Sequence, residues 1–251
     1  STSGLQILPL TFDDAVTVAP IISAVTNSAD FSANVAPGGL ITIRGSQFSS
    51  VTESAGMTRW PTALGEVCVI LGGNAIPLGY VSPTEIRGQI PFGASAGILS
   101  IQSAGGKSES FNLPVLPAAP AIFHSGSAGP MTGIATVVRK KNNELVTASN
   151  PIHPEDELVI YLTGMGDVSP LIESGVAAPA DPVSGVVIAP QVALGSTNLD
   201  VQFAGTVAGK IGVYRIDVKV PFRVNQTGWE VPLTINQGGS TSQLLVRVIG
   251  N

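Results

Sequence analysis

Pro37–Gly38–Gly39–Leu40–Ile41–Thr42–Ile43–Arg44–Gly45 returns downstream as Pro154–Glu155–Asp156–Glu157–Leu158–Val159–Ile160–Tyr161–Leu162–Thr163–Gly164. Each version is a turn led by proline, a short apolar strand and a closing glycine. Three further anchors repeat in the same order. Leu71–Gly72–Gly73 matches Leu194–Gly195–Ser196, and Ile90–Pro91–Phe92 matches Val220–Pro221–Phe222. Leu99–Ser100–Ile101 with Gly105–Gly106 matches Leu233–Thr234–Ile235 with Gly238–Gly239. Four ordered anchors indicate an internal duplication. Strands this short, separated by turn signals and without a helical period, predict an all-β chain of two tandem β-sandwiches.

The two units meet at Pro114–Val115–Leu116–Pro117–Ala118–Ala119–Pro120–Ala121–Ile122–Phe123. Its prolines fix φ and remove backbone donors, which excludes a helix interior or a central strand and leaves a stiff extended connector. The resulting division is an extended N-terminal strand at 1–19, a first unit at 20–116 and a second at 117–251. In the first unit, strands are expected at 20–25, 40–45, 67–71, 75–81, 86–90, 97–103 and 108–115, with a polar loop at 46–66. In the second, strands at 136–138 and 144–146 flank the basic turn Arg139–Lys140–Lys141–Asn142–Asn143. Strands follow at 158–164, 190–194, 199–204, 212–220, 229–236 and 242–249, interrupted by a long loop at 165–189. Val67–Cys68–Val69–Ile70–Leu71 is a continuous apolar run, the pattern of a strand buried on both faces. Cys68 therefore reads as a buried, inert thiol.

A chain of 251 residues is long enough for two units that each bury a core. Hydrophobic residues at 44% exclude disorder. Charged residues are only 12%, which suits an exported β protein better than a cytosolic enzyme. A net charge of −5 without a long basic run excludes a nucleic-acid groove. The single cysteine excludes an internal disulfide. No apolar run approaches the ~18–20 residues of a membrane helix. The expected setting is extracellular, after removal of a signal peptide.

Two sets of motifs carry a resemblance. The first is Ala36–Pro37–Gly38–Gly39–Leu40 to Gly45, Pro61–Thr62–Ala63–Leu64–Gly65, and Tyr80–Val81–Ser82–Pro83–Thr84–Glu85–Ile86 with Gln89–Ile90–Pro91. The second is Ala119–Pro120–Ala121–Ile122–Phe123, Asn150–Pro151, Tyr161–Leu162–Thr163–Gly164–Met165–Gly166 with Val168–Ser169–Pro170, and Phe203–Ala204–Gly205 with Gly212–Val213–Tyr214. Over about residues 20–250 the chain resembles an uncharacterised C-terminal domain family of large secreted acidobacterial proteins. The resemblance implies two immunoglobulin-like units akin to IPT/TIG domains and an extracellular setting. It implies no reaction.

The residues themselves offer no catalytic, cofactor or metal set. The only histidines are His124 and His153. His124 precedes Ser125–Gly126–Ser127, but without a nucleophile elbow it reads as a strand-end histidine bonded to backbone. His153, between Pro151 and Pro154, reads as part of a surface turn. Glu155–Asp156–Glu157 lacks the alternating oxygen ligands of a calcium loop and, like the basic turn, is expected to be solvated. Trp60 and Trp229 are expected to cover core edges rather than to serve as sugar platforms. Arg59, beside Trp60, is a candidate for stacking on a neighbour's surface. Asn225–Gln226–Thr227 is the only N-x-[ST] sequon with permitted chemistry, so Asn225 is a candidate glycosylation site.

Residues 1–19 carry a mostly period-2 pattern: Leu8, Leu10, Phe12, Val16 and Val18 share one parity, interrupted by Asp14, and Leu5 and Ile7 lie on the other. Pro9 argues for an edge position. The expected function is a non-enzymatic structural or adhesive protein. It would assemble head to tail by donating this strand to a neighbouring copy, with Leu5, Ile7, Leu8, Leu10, Phe12, Val16 and Val18 as the partner-binding residues. The rival partner is polysaccharide or another envelope polymer. No nucleic acid, membrane span or cofactor is expected.

Overall fold

A computed structural model describes residues 18–125 and 133–250. Among them there is no helix, and every strand-to-strand ladder is antiparallel. None is a helix long and apolar enough to cross a membrane. The N-terminal half holds β1 (Ile21–Asn27), β2 (Leu40–Ser46), β3 (Cys68–Leu71), β4 (Leu78–Val81), β5 (Glu85–Gln89), β6 (Gly97–Ser103) and β7 (Phe111–Leu113). One sheet runs β1-β2-β5-β4 and the other β7-β6-β3, each with short edge additions. The alternation legible in Leu40–Ser46 is the reason these sheets stack. Ile41 and Ile43 point inward and are fully buried, beside Ile86 of β5. They meet Val69, Leu71, Leu99 and Ile101 of the second sheet in one hydrophobic cluster.

The C-terminal half holds β8 (Ala121–Ile122), β9 (His124–Ser125), β10 (Ile134–Ala135), β11 (Val137–Arg139), β12 (Glu144–Leu145), β13 (Glu157–Thr163), β14 (Gln191–Leu194), β15 (Asp200–Thr206), β16 (Tyr214–Lys219), β17 (Gly228–Gln237) and β18 (Ser240–Val248). One sheet contains β12-β11-β13-β16-β15, with β8 also on β13; the other contains β14-β17-β18. The pairing scheme of the first half recurs: β2 on β5 becomes β13 on β16, and β3 on β6 becomes β14 on β17. A second cluster fills this half, around Leu158, Ile160, Tyr214, Ile216 and Leu233. The hairpin β9–β10 is an addition that the sequence pattern did not signal.

Cys68 departs from the expectation of a strand buried on both faces. β3 alternates between half-buried and buried positions, and Cys68 is on the half-buried side. The continuous apolar run reflects a partly covered outer face, not a central strand.

The halves are joined by more than the connector. The connector is itself tied to each half, Leu116 N–H donating to Val35 O of the first (2.9 Å) and Ala119 N–H to Gly164 O of the second (2.7 Å). Thr163 Oγ1 accepts from Leu40 N–H (2.9 Å) and donates to Gly212 O (2.6 Å). Gln89 donates through its amide to Gly38 O (3.0 Å) and accepts from Gly175 N–H (2.6 Å). The loop after β13 reaches back as well: Ser174 Oγ accepts from Phe92 N–H (2.9 Å) and Asp167 from Gly93 N–H (2.7 Å). Phe92 of the first half packs against the cluster of the second. Gly38 sits at φ +70 where a Cβ would run into the Tyr214 hydroxyl and the Phe92 ring, so this close approach requires glycine.

Candidate functional site

At this seam the outer face of β2 and β5 forms the floor of a cleft of about 340 Å³. The strand period places Thr42 and Arg44 opposite the core residues Ile41 and Ile43. The ladder sets Thr42 beside Arg87 and Arg44 beside Glu85. Ser28 and Thr42 share a hydroxyl–hydroxyl hydrogen bond (2.9 Å). Glu85 accepts from Arg87 at 2.6 Å and lies 3.7 Å from the Arg44 guanidinium. Both guanidiniums are flattened on rings: Arg44 over Phe31 and Arg87 over Tyr80, each at 5.1 Å.

Aromatic side chains form the walls. Trp60 lies over Gly79, where an added Cβ would come within 2.6 Å of the indole, and the Trp60 backbone N–H donates to Gly175 O of the other half (2.7 Å). Phe31 stands on the first half and Phe123 is contributed by the second, where its N–H donates to Tyr161 O (3.0 Å). The cleft therefore takes one of its walls, Phe123, from the other half. Its chemistry combines flat apolar surfaces with a hydroxyl, a carboxylate and two guanidiniums on one rigid floor. Such a surface fits a ligand with apolar faces and many hydroxyl edges.

Leu5, Ile7, Leu8, Leu10, Phe12 and Val16 lie outside the described residues. Val18 is described: it is 49% exposed, with its carbonyl against Gly105 of its own N-terminal half. Asn225 is exposed, and its N–H donates to Thr197 Oγ1 (2.8 Å). His124 Nδ1 is 3.2 Å from Gly133 O, as a strand-end histidine should be.

Three readings need correction, those of Trp229 and of the basic and acidic turns. Arg59, for its part, forms a two-pronged pair with Glu173 across the seam, at 2.6 and 2.9 Å. This pair raises the pKa of Arg59 and lowers that of Glu173 through the hydrogen bonds between them. Trp229 does not cover a core edge: it is 66% exposed and stacked on Arg247, 3.7 Å from ring centre to guanidinium. The basic and acidic turns are not simply solvated, because they neutralise each other. Arg139 and Asp156 are only 12% and 15% exposed and are bonded twice at 3.0 Å, and Lys140 sits 3.6 Å from Glu157. His153, in that turn, gives its backbone N–H to Asp156 (2.8 Å).

The sequence reading missed Phe31, Arg44, Glu85, Arg87 and Phe123. A usable signal existed: polar residues on one parity of two strands whose other parity is apolar. Lateral register, which sets Arg87 against Thr42, is not written along the chain.

Among the described residues no group of three or more His, Cys, Asp or Glu is placed to hold a metal. No family model matches the chain, and no curated protein matches it. Among solved structures it is similar to the surface glycan-binding protein SGBP-B from a complex xyloglucan utilization locus in Bacteroides uniformis. That match has 16% identity and a TM-score of 0.26 over 91% of this chain and 49% of that one. A second similarity is to the surface glycan-binding protein PbSGBP-B from Prevotella bryantii, at 10% identity and TM-score 0.27, over 90% and 41% of the two chains. A third is to the plexin A4 extracellular region, at 10% identity and TM-score 0.27, over 100% of this chain and 17% of that one. The chain spans half or less of the length of these proteins. Similarity at this level carries no inference about ligand or partner.

Proposed function

We propose that this chain is a non-enzymatic cell-surface protein that binds polysaccharide in the seam cleft. Its frame is two tandem immunoglobulin-like sandwiches, 20–116 and 117–251, held as one body by the seam. The observation that carries the reading is the placing of Trp60, Phe31 and Phe123 around the Thr42, Arg44, Glu85 and Arg87 floor. Rings offer platforms for the C–H faces of sugar rings, and the floor offers donors and an acceptor for their hydroxyls. A binding role rather than glycoside cleavage is supported by the cleft's single carboxylate. Glu85 is already held by two arginines, and hydrolysis uses a pair.

The test is affinity electrophoresis against a panel of soluble polysaccharides, followed by tryptophan fluorescence in a Trp229→Phe background so that Trp60 alone reports. Binding should quench or shift Trp60 emission. Trp60→Ala and Arg87→Ala should each weaken it by about tenfold or more, the worth of one well-made charged hydrogen bond. Binding that is untouched by both substitutions, or no binding across the panel, refutes the proposal.

A further inference from the structure

We infer that the groove between β11–β12 and β18 receives, as an added strand, the N-terminal segment of a second copy of this chain. The groove is separate from the seam cleft and holds about 700 Å³. Val137 and Val146 line it on one side and Leu244 and Val246 on the other, with Ile134 of the β9–β10 hairpin at its mouth. Val137, Val146 and Val246 belong to the second cluster and Leu244 packs against it, so the groove is an opening into the flank of a hydrophobic core.

β18 is the edge strand of its sheet. Its open side can be assigned from two bonds. Pro232, opposite Leu245, gives its carbonyl to Gly195 N–H (2.7 Å), away from β18. Arg247 gives its carbonyl to Ile152 N–H (2.9 Å), away from β17. Backbone direction alternates along a strand, so Leu245 and Gln243 also direct their N–H and C=O to the open side. Ile152 caps the far end of that edge, and among the described residues the stretch before it is an unextended ladder beside an apolar slot. Strand addition needs both features: main-chain partners for affinity and pockets for alternate side chains.

Three observations select the occupant. Residues 1–17 place Leu8, Leu10 and Phe12 on one parity, matching a one-sided apolar slot, with Asp14 interrupting that parity before Val16 and within reach of the Arg247 end of the groove; Pro9 falls on the opposite parity. The segment carries Asp13 and Asp14 and no lysine or arginine, while among the described residues the groove is lined by Arg247 and no acidic residue. Geometry excludes the same molecule's segment. The described chain begins at Val18, against the Gly105 turn, and β1 then runs toward the seam, where Asn27 Nδ2 meets Ala119 O. β18 starts at the seam, where Ser240 Oγ donates to Ala118 O, and runs on beyond it. To return from Val18 to Leu245, the segment would spend about a dozen residues at ~3.3 Å each in transit, which leaves Leu8, Leu10, Phe12 and Val16 along the way and not at β18. A contact between the N-terminal end of one copy and the C-terminal half of the next is heterologous and extends without closing.

The test uses the full chain and two variants. Deletion of residues 1–17 removes the donor, and Ile134→Glu places a charge at the mouth of the acceptor. Ile134 is 46% exposed, so this change tolerates folding, which the thermal midpoint and the β-type circular dichroism spectrum check. By sedimentation and electron microscopy, the intact chain should form polymers whose length grows with concentration. Each variant alone should be monomeric, with association on the order of 100-fold weaker or worse, since a buried unpaired charge is not tolerated. Mixed, the two variants should form dimers of one each and nothing longer, because the deleted chain keeps an acceptor and the Ile134→Glu chain keeps a donor. Polymerisation of either variant alone, an intact chain that stays monomeric with residues 1–17 protected on its own N-terminal half, or no dimers in the mixture overturns the inference. Polysaccharide affinity in the seam cleft is expected to be equal in all three chains, so this assembly and sugar binding fail or stand separately.

Discussion

Replacing Arg139 by alanine should unfold the C-terminal half more easily than the basic turn's appearance suggests. Arg139 makes two bonds to Asp156 at 3.0 Å, one to Asn150 Oδ1 at 2.6 Å and one to Pro151 O at 2.6 Å. Its side chain is 12% exposed and that of Asp156 15%. Deleting the guanidinium leaves Asp156 mostly covered with only the His153 N–H to hold it. Breaking a buried pair from one side costs about 3–5 kcal/mol, and the residual exposure here puts the loss near the lower end, about 3 kcal/mol. For a chain of this size that lowers the melting temperature by roughly 6–12 °C. Scanning calorimetry measures it, with urea unfolding as a check on the midpoint. Arg139→Lys should recover only part, because an ammonium cannot make the two-pronged contact. A double-mutant cycle with Asp156→Ala should give a coupling of about 1–3 kcal/mol. A loss below about 1 kcal/mol for Arg139→Ala, the worth of an exposed pair, would refute the reasoning.

Tyr214 is fully buried, and its hydroxyl donates to Gly166 O at 2.9 Å. Burial, aided by the nearby Asp167 charge, pushes its pKa well above the usual tyrosine range. Its contribution is intact below pH ~10, where both states keep the proton. Above that the unfolded state loses the proton first, and stability falls by about 1.4 kcal/mol per pH unit from this group. Tyr214→Phe should flatten that alkaline slope by one proton, measured by urea unfolding between neutral and alkaline pH; an unchanged slope contradicts the assignment. Gly38→Ala should lower the melting temperature by more than Gly72→Ala. Both glycines have positive φ, but only Gly38 faces Tyr214 and Phe92 while Gly72 faces open space; equal losses would mean the seam does not depend on this approach. Burial raises the Cys68 thiol pKa, so alkylation of the native protein near pH 8 should be slower than that of a free thiol and should accelerate in denaturant.

The strands were legible because their evidence is local. Leu40–Arg44 and Leu158–Leu162 announce themselves by apolar residues between turn signals, and both are strands at those places. Charge was read less well, because a sequence displays neighbours along the chain and hides neighbours across a ladder. Arg139 stands next to Lys140 and Lys141, which made it look solvated, yet its partner Asp156 lies on the far side of a hairpin. The cleft was hidden for a related reason. Trp60, Arg87 and Phe123 belong to a loop, a strand and the other half, and only the register of β2 on β5 and the seam bring them together. Trp229 was misjudged because an aromatic's size predicts burial on average, while its pairing with Arg247 lets it stand in solvent.

The seam also determines how the molecule would carry a mechanical load. β1 and β18 lie on opposite sides of the connector along the chain, so tension applied between them must cross the seam, and any part of it that runs along a strand loads that strand's ladder. Antiparallel ladder bonds lie across that direction and share the force in shear instead of opening one after another. At mid-length the connector is in parallel with the bonds of Thr163, Gln89 and Ser174, which spread the pull over several elements of both halves. The chain is thereby a stiff link whose weakest point under tension is displaced from its covalent joint to the docked faces around it.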